Sequence, residues 1–290
     1  MRAPSSAPEH SAATRAGLSP RKGELRIGIS GWNYKGWRGV FYPPKHPQKR
    51  ELEFASQTLN TIEINGTFYS LQRPSSFQRW YAETPGNFVF AVKGARFITH
   101  MKKLREVQRP LANFFASGLL CLGEKLGPIL WQFPPNFGWN EARFRQFFEL
   151  LPRNTEEAAQ LARLHDEKLK VRGWFETDAC RPLRYALEIR HPSFLVPEFF
   201  EFLREQQAAF VFADSAGKWP YAEELTTGFV YIRLHGDTQL YVSGYSDRAL
   251  ARWAERIRGW RRGRDVFVYF DNDAKVHAPF DAQRLAALLA

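Results

Sequence analysis

The chain has 290 residues, of which 44% are hydrophobic and 24% are charged. These proportions are typical of a globular protein that buries a sizeable core, either as one large α/β domain or as two smaller ones. Because no apolar run approaches the length needed to cross a bilayer, we expect no membrane-spanning segment.

The chain is strongly basic, with a net charge of +11 and a pI of about 9.8. Such a balance attracts phosphate-bearing partners at long range, although a basic surface without a specific partner accounts for it equally well. Aromatic residues reach 15%, and they serve in cores and in pockets that stack on rings.

The two cysteines, Cys121 and Cys180, form no CxxC pair and no zinc-ligand spacing with histidines. They require no oxidising compartment. Residues 1–24 are rich in Ala, Ser, Pro and Arg and contain no apolar signal-peptide core. We therefore expect a disordered basic tail and a cytoplasmic protein.

After the tail, short apolar runs alternate with amphipathic stretches in chain order. Strands are predicted over 26–31, 61–65, 87–93, 128–133, 185–190, 209–214, 229–235 and 265–271. Helices are predicted over 51–59, 75–83, 107–125, 140–151, 155–168, 198–207, 246–262 and 279–290. The regular alternation pauses over 152–182, which indicates a helical insertion after the fourth strand–helix unit.

Eight strand–helix units predict a single (β/α)₈ barrel of the TIM type over residues 25–290. The competing fold is an open doubly wound sheet, which normally carries a glycine-rich phosphate loop after its first strand. Here residues 30–34 read Ser-Gly-Trp-Asn-Tyr, which favours the barrel.

Strands buried on both faces should be apolar throughout, yet in several predicted strands apolar and polar residues alternate. Ile62 and Ile64 alternate with Glu63 and Asn65. Leu187 alternates with Glu188 in the same way, and so does Ile232 with Arg233. If the apolar set faces the helices, the polar set points into the barrel.

Polar residues also collect at the carboxyl ends of the strands, where barrel active sites are built. The predicted ring around one cavity mouth consists of Glu63, Asn65, Lys93, Gln132, Glu188, Arg190, Asp214, Arg233, His235 and Asn272. The alternative is an internal ion-pair network such as Glu188 with Arg233. His100 and His277 lie in loops, and we expect them to be solvated.

Several segments together resemble the YecE-like family, also called domain of unknown function 72. The similarity runs from about Ile27 to the C-terminus. Its motifs are residues 28–34 with Trp37 and 41–43, then 63–69, 98–100, 127–135, 188–191, 231–236 and 270–273. The resemblance implies a TIM-type barrel and supplies no established reaction. Trp131 stands where the family motif suggests a smaller apolar residue, and we expect it to narrow the pocket.

The first functional hypothesis is a hydrolase of a phosphate-bearing substrate, with nucleic acid as one candidate. Its predicted catalytic residues are Glu63, Glu188, Asp214 and His235. Its predicted substrate-binding residues are Trp32, Tyr34, Asn65, Tyr69, Lys93, Gln132, Arg190, Arg233 and Asn272. The acidic residues and His235 are also suitable ligands for Mg²⁺ or Mn²⁺.

Two further hypotheses stay open. One is a metal-free enzyme that acts on an anionic, sugar-like small molecule. The other is a non-catalytic nucleic-acid binder that uses the arginines of residues 252–264, although a solvated outer helix explains these arginines as well.

Overall fold

The computed structural model describes residues 21–290. Eight parallel strands close into a barrel in the order β1 to β8, as the sequence predicts. They are β1 Leu25–Ser30, β2 Thr61–Ile64, β3 Val89–Lys93, β4 Leu126–Gln132, β5 Tyr185–Glu188, β6 Ala209–Asp214, β7 Phe229–Leu234 and β8 Asp265–Phe270. The sheet closes between β1 and β8, where Ile29 pairs with Phe270.

Helices surround the barrel. They are α1 Glu51–Thr58, α2 Gly66–Tyr69, α3 Pro74–Ala82, α4 Gln108–Ala116, α5 Glu141–Leu150, α6 Thr155–Ala162, α7 Pro197–Glu205, α8 Asp247–Trp260 and α9 His277–Leu289. Capping side chains fix the first residues of two of these helices. The Asn140 side chain caps α5 by accepting from the Arg143 amide, and Ser246 caps α8 through the Ala249 amide.

Strand alternation sorts the side chains into two layers. Ile62, Ile64, Leu187 and Ile232 belong to the apolar layer between strands and helices. A second cluster fills the barrel interior and consists of Ala91, Leu130, Ala186, Ala209, Val211, Ala213, Phe229, Tyr231, Phe267 and Tyr269. The amino end of the interior is largely apolar, with the Thr61 hydroxyl hydrogen-bonded to the Tyr269 hydroxyl at 2.9 Å. The fully buried charged side chains Glu63, Glu188 and Arg233 lie nearer the carboxyl end.

Two predicted features differ from the structure. The helix expected over 107–125 is interrupted at Gly118, whose φ of 119° no L side chain adopts readily. Trp131 does not narrow the pocket. It points outward into the helical layer, where its ring centroid lies 5.5 Å from that of Phe114 and 5.2 Å from that of Phe147.

The insertion over 152–182 contains α6, which is shorter than the helix predicted over 155–168. Asn113 of α4 donates a hydrogen bond to Asp166 at 2.8 Å, and the Trp174 amide donates to the Ala116 carbonyl at 2.9 Å. The insertion thus packs against α4 on the outside of the barrel.

Most of the predicted N-terminal tail, residues 1–20, lies outside the described residues. Its last residue contacts the barrel, because the Glu24 carbonyl accepts a hydrogen bond from the Val266 amide of β8 at 2.8 Å. Within residues 21–290, no helix combines the length and apolarity that a bilayer crossing requires.

Candidate functional site

A fully buried arginine lies at the centre of the carboxyl end of the barrel. Arg233 donates to Glu63 at 2.8 Å, to Glu188 at 2.7 Å and to Asp271 at 2.9 Å. The side chains of Arg233, Glu63 and Glu188 have no solvent exposure. The charges compensate one another, which allows them to remain buried.

The carboxylates around Arg233 have further hydrogen-bond partners. Glu63 accepts from Ser30 at 2.9 Å and from Tyr231 at 2.6 Å. Glu188 accepts from Gln132 at 2.7 Å and from Arg190 at 3.1 Å. The lone pairs of both carboxylates are therefore largely engaged within the protein.

Glu188 is held ionised by this environment. Burial alone would raise its pKa, but the guanidinium groups of Arg233 and Arg190 hold that pKa well below its usual range. His235 is also fully buried, and its Nδ1 lies 3.0 Å from an Asp271 oxygen. The internal ion pair between Glu188 and Arg233, which the sequence analysis gave as the alternative to a site, is therefore present.

A cavity of about 770 Å³ opens above this network. Its lining consists of Tyr34, Asn65, Phe68, Tyr69, Lys93, Arg96, His100, Met101, Gln132, Arg190, Tyr241, Asp271 and Asp273. A cleft of about 740 Å³ lies at the amino end of the barrel and is lined largely by apolar and uncharged side chains. We place the functional site at the carboxyl end, where the buried ionisable groups gather.

Most of the predicted catalytic and substrate-binding residues lie at this end of the barrel. Tyr34, Asn65, Tyr69, Lys93, Gln132 and Arg190 line the cavity. Glu63, Glu188, Arg233 and His235 lie beneath its surface, each with 0% exposure. Three of the four predicted catalytic residues are thus enclosed and have no direct access to a molecule in the cavity.

Three predicted residues lie elsewhere. Asp214 faces the helical layer and accepts from Tyr245 at 3.1 Å. Asn272 also faces outward and donates to Asp281 at 2.9 Å. Trp32 packs edge-on against Trp80, with ring centroids 5.3 Å apart. The ring is corrected accordingly: Asp214 ends β6 with its side chain directed away from the interior. Asn272 lies two residues beyond the end of β8, with its side chain also directed outward.

Seven residues that line the cavity are absent from the predicted site. They are Phe68, Arg96, His100, Met101, Tyr241, Asp271 and Asp273. Alternation could have found Asp271, because it shares the inward face of β8 with Phe267 and Tyr269. Tyr241 comes from the loop after β7, where no periodicity identifies it. Its positive φ of 63° marks a strained backbone.

The environment of the cavity shifts several pKa values. Burial, with the neighbouring Arg233 charge, lowers the pKa of Lys93 to about 8. Burial, with the Arg190 and Lys93 charges, lowers the pKa of His100 to about 4. His100 is therefore half-buried and cation-flanked rather than simply solvated as expected.

Two carboxyl groups on the β8 side behave differently from each other. Burial would raise the pKa of Asp271, but Arg233 and His235 lower it to about 2. Burial and the Asp271 charge raise the pKa of Asp273. Such divergence between neighbouring carboxyls is typical of sites that transfer protons.

The residues suggested for Mg²⁺ or Mn²⁺ do not fit a metal centre. Glu63 and Glu188 are hydrogen-bonded to Arg233, and Asp214 lies on the other side of the sheet. Among residues 21–290, no three or more His, Cys, Asp or Glu side chains are grouped to hold a metal ion.

In the basic segment 252–264, considered as a nucleic-acid surface or as a solvated outer helix, several arginines make intramolecular contacts. Arg256 pairs with Glu223 and stacks on Trp253, with Cζ 3.7 Å from the ring centroid. Arg261 donates to the Gly23 carbonyl at 2.8 Å, and Arg264 donates to the Thr227 carbonyl at 3.1 Å. These arginines therefore have structural roles on α8 and in the segment after it.

Comparison with known proteins agrees with the motifs. The model of the family described as "Protein of unknown function DUF72" matches residues 26–290. This chain belongs to the DUF72 family. The UPF0759 protein YunF of Bacillus subtilis is 23% identical over 295 residues, covering 91% of this chain and 94% of that protein. The UPF0759 protein YecE of Escherichia coli is 27% identical over 117 residues, 40% of each chain.

Solved structures of the family share the fold. A DUF72 family protein from Thermotoga maritima superposes with a TM-score of 0.71 at 25% identity, covering 92% of this chain and 99% of that one. One from Enterococcus faecalis gives a TM-score of 0.71 at 18% identity, covering 91% and 95% of the two chains. The family and the barrel are therefore shown, and the function has to be inferred from the site.

Proposed function

We propose that this protein is an enzyme that acts on a small, phosphate-bearing, sugar-like molecule bound at the carboxyl end of the barrel. The observation that carries the proposal is a group of cationic side chains that line the cavity, namely Lys93, Arg96 and Arg190. Cations whose charge and donors are not fully used inside the protein are suited to bind the oxygens of an anion.

Arg190 is positioned before any ligand arrives. Its Nε donates to Glu188 at 3.1 Å, its Nη2 donates to the Tyr241 hydroxyl at 3.3 Å, and its Cζ lies 4.9 Å from the Trp219 ring centroid. Within residues 21–290, Nη1 makes no hydrogen bond, so donors remain for a ligand. A guanidinium fixed in this way loses little conformational entropy on binding.

The rim of the cavity suits a polyhydroxylated ligand. Tyr69 is 65% exposed, and Arg96 stacks over its ring with Cζ 5.4 Å from the centroid. The buried Asn65 Oδ1 has no hydrogen-bond partner among the described residues. An aromatic face next to unsatisfied polar atoms is a common arrangement for binding sugars.

Proton transfer would come from groups on the cavity surface. Asp273, with its raised pKa, retains a proton to higher pH than an ordinary aspartate, whereas Asp271 stays ionised. This assignment replaces Glu188 and His235, two of the predicted catalytic residues of the hydrolase hypothesis, because both are enclosed. The phosphate-binding role of Arg190 is common to both hypotheses.

Calorimetric titration with glycerol 3-phosphate tests the proposal. We expect binding to the wild type, weaker binding at higher ionic strength, and no binding of glycerol. Arg190→Gln should weaken binding by about tenfold or more, the loss expected for a charge-assisted hydrogen bond. Arg96→Gln should weaken it less, because Arg96 is exposed.

Arg105→Gln serves as the matched control, since Arg105 is an exposed arginine outside the cavity lining. Its affinity for glycerol 3-phosphate should equal that of the wild type. The proposal is wrong if glycerol 3-phosphate does not bind. It is also wrong if Arg190→Gln and Arg96→Gln both bind it as tightly as the wild type and the control do.

A further inference from the structure

Lys93 differs from the other charged residues of the site. It ends β3 and lines the cavity, with 7% of its surface exposed. Among residues 21–290, its ammonium group makes no hydrogen bond and no ion pair, and the Phe68 ring lies 4.4 Å from Nζ. An amine in this position is available to a molecule that enters the cavity.

A second buried lysine, Lys125, has a structural role and serves as a comparison for Lys93. Lys125 is 3% exposed. Its Nζ donates to the Tyr81 carbonyl at 2.6 Å and to the Thr84 carbonyl at 2.8 Å. Lys93 has no comparable acceptors, so its burial is not explained by structural hydrogen bonds.

The surroundings of Lys93 favour the neutral amine. Burial and the Arg233 charge lower its pKa, while the charges of Glu63, Asp271 and Glu188 oppose this shift. With a pKa of about 8 in place of 10.5, the neutral fraction at pH 7 rises on the order of a hundredfold. Desolvation next to another cation is an established way to activate a lysine nucleophile.

We propose that Lys93 forms a covalent imine with an aldehyde or ketone group of the phosphate-bearing substrate. This rests on the proposed function, because the cavity must first bind that substrate. The neutral Nζ attacks the carbonyl carbon, a C–N bond forms, and the carbonyl π electrons move to oxygen. The resulting carbinolamine loses both amine hydrogens and the former carbonyl oxygen as water. The imine then takes up a proton from solution, and no oxidant or reductant is consumed.

Borohydride trapping tests the imine directly. The full chain is incubated with dihydroxyacetone phosphate or pyridoxal 5′-phosphate, reduced, and analysed by intact-mass and peptide-mapping mass spectrometry. We expect one adduct on Lys93, heavier than the protein by the mass of the probe minus one oxygen. The trapping rate should rise with pH, with a midpoint near 8.

Two variants give the comparison. Lys93→Arg retains the charge without the nucleophile and should lose the adduct. Lys275→Arg removes an exposed lysine two residues beyond Asp273, and this variant should still form the adduct on Lys93. If Lys93→Arg does not fold, the position of the adduct in the wild-type peptide map decides the question by itself.

Failure of this proposal is distinguishable from failure of the proposed function. If glycerol 3-phosphate, which has no carbonyl group, binds but neither probe labels Lys93, the imine is wrong and the binding function stands. Labelling spread evenly over exposed lysines, or a midpoint near the ordinary lysine pKa, also overturns the imine. If glycerol 3-phosphate fails to bind, the proposed function itself is wrong.

Discussion

Arg233 compensates three carboxylates that solvent reaches little or not at all. Glu63 and Glu188 are fully enclosed, and the Asp271 side chain is 13% exposed. Neutralising the arginine would leave these charges in a medium that solvates them poorly. At the residue scale, the site therefore depends on charge balance as much as on shape.

Arg233→Met should lower the free energy of unfolding at pH 7 by about 3–5 kcal/mol, the usual cost of breaking a buried ion pair. In this variant the arginine that lowers the pKa of Glu188 and Asp271 is gone, and burial raises both values. The folded chain then holds protons that the unfolded chain has lost, so the loss relative to the wild type shrinks as the pH falls. Urea unfolding of both proteins at pH 7 and pH 5 measures this difference in the free energy of unfolding. Arg252→Met, at an exposed position on α8, should stay within about 0.5 kcal/mol of the wild type. A loss that is the same at both pH values would contradict the prediction.

Lys93→Met should have the opposite effect on stability. Because the pKa of Lys93 is lowered from 10.5 to about 8, folding is disfavoured while this amine is charged. Replacing it with an apolar side chain of similar length should stabilise the protein at pH 7 by about 1–3 kcal/mol. Thermal unfolding at pH 7 and pH 10 checks this, and the gain should be smaller at pH 10. An unchanged or lower melting temperature at pH 7 would refute it.

Residue-level prediction of the site depended on strand parity. Glu63, Glu188 and Arg233 were predicted to point into the barrel because each alternates with an apolar neighbour that faces the helices. They do point inward, but they are enclosed beneath the cavity. Asp214 and Asn272 were misplaced because they were selected only for lying near strand ends. The prediction did not consider which face of the strand each side chain occupies. Loop residues such as His100 and Tyr241 have no periodicity, so only the three-dimensional structure locates them.

At the scale of elements, β3 and β4 are fitted closely to each other. The Gly94 amide donates to the Leu130 carbonyl at 2.8 Å. A Cβ at Gly94 would lie 2.2 Å from the Trp131 ring, much closer than atoms can approach. The outward-facing tryptophan therefore requires a glycine directly after β3.

Gly94→Ala should destabilise the protein by about 1–3 kcal/mol through overpacking. Gly86→Ala is the matched control, because nothing lies within 4 Å of its added Cβ. In a Trp131→Leu background the cost of Gly94→Ala should fall by about 1 kcal/mol or more, which a double-mutant cycle from urea unfolding measures. Strict additivity of the two substitutions would contradict the proposed contact.

The strands were easier to predict than the helices. Each strand is specified by alternation and flanking turns, and the predicted ranges overlap all eight. Helix lengths depend on breaks that apolar periodicity does not reveal. Gly118 ends α4 by adopting a positive φ, and the helix predicted over 155–168 ends early because Asp166 instead bonds to α4.

At the scale of the whole molecule, the half-buried His100 makes stability depend on pH. Its pKa in the folded state is about 4, against 6.5 in the unfolded chain. Between these values the unfolded state binds more protons, so the free energy of unfolding rises as the pH increases from 4 to 6.5. His100→Gln should lose less stability than the wild type when the pH falls through this range. Guanidinium unfolding at pH 4.5 and 6.5 checks the difference, and parallel slopes for the two proteins would contradict it.

The hydrogen-bonded cluster around Arg233 connects β2, β5, β7 and the residue that follows β8. A substitution that changes the charge of one member leaves the other charges buried without their partner. An intermediate sequence with one change is therefore less stable, and it is selected against before a second change can arise. Evolution should therefore alter these positions in compensating pairs or leave them unchanged. Relatives that have lost the arginine should also have lost acidic partners, which makes correlated variation a signature of this barrel.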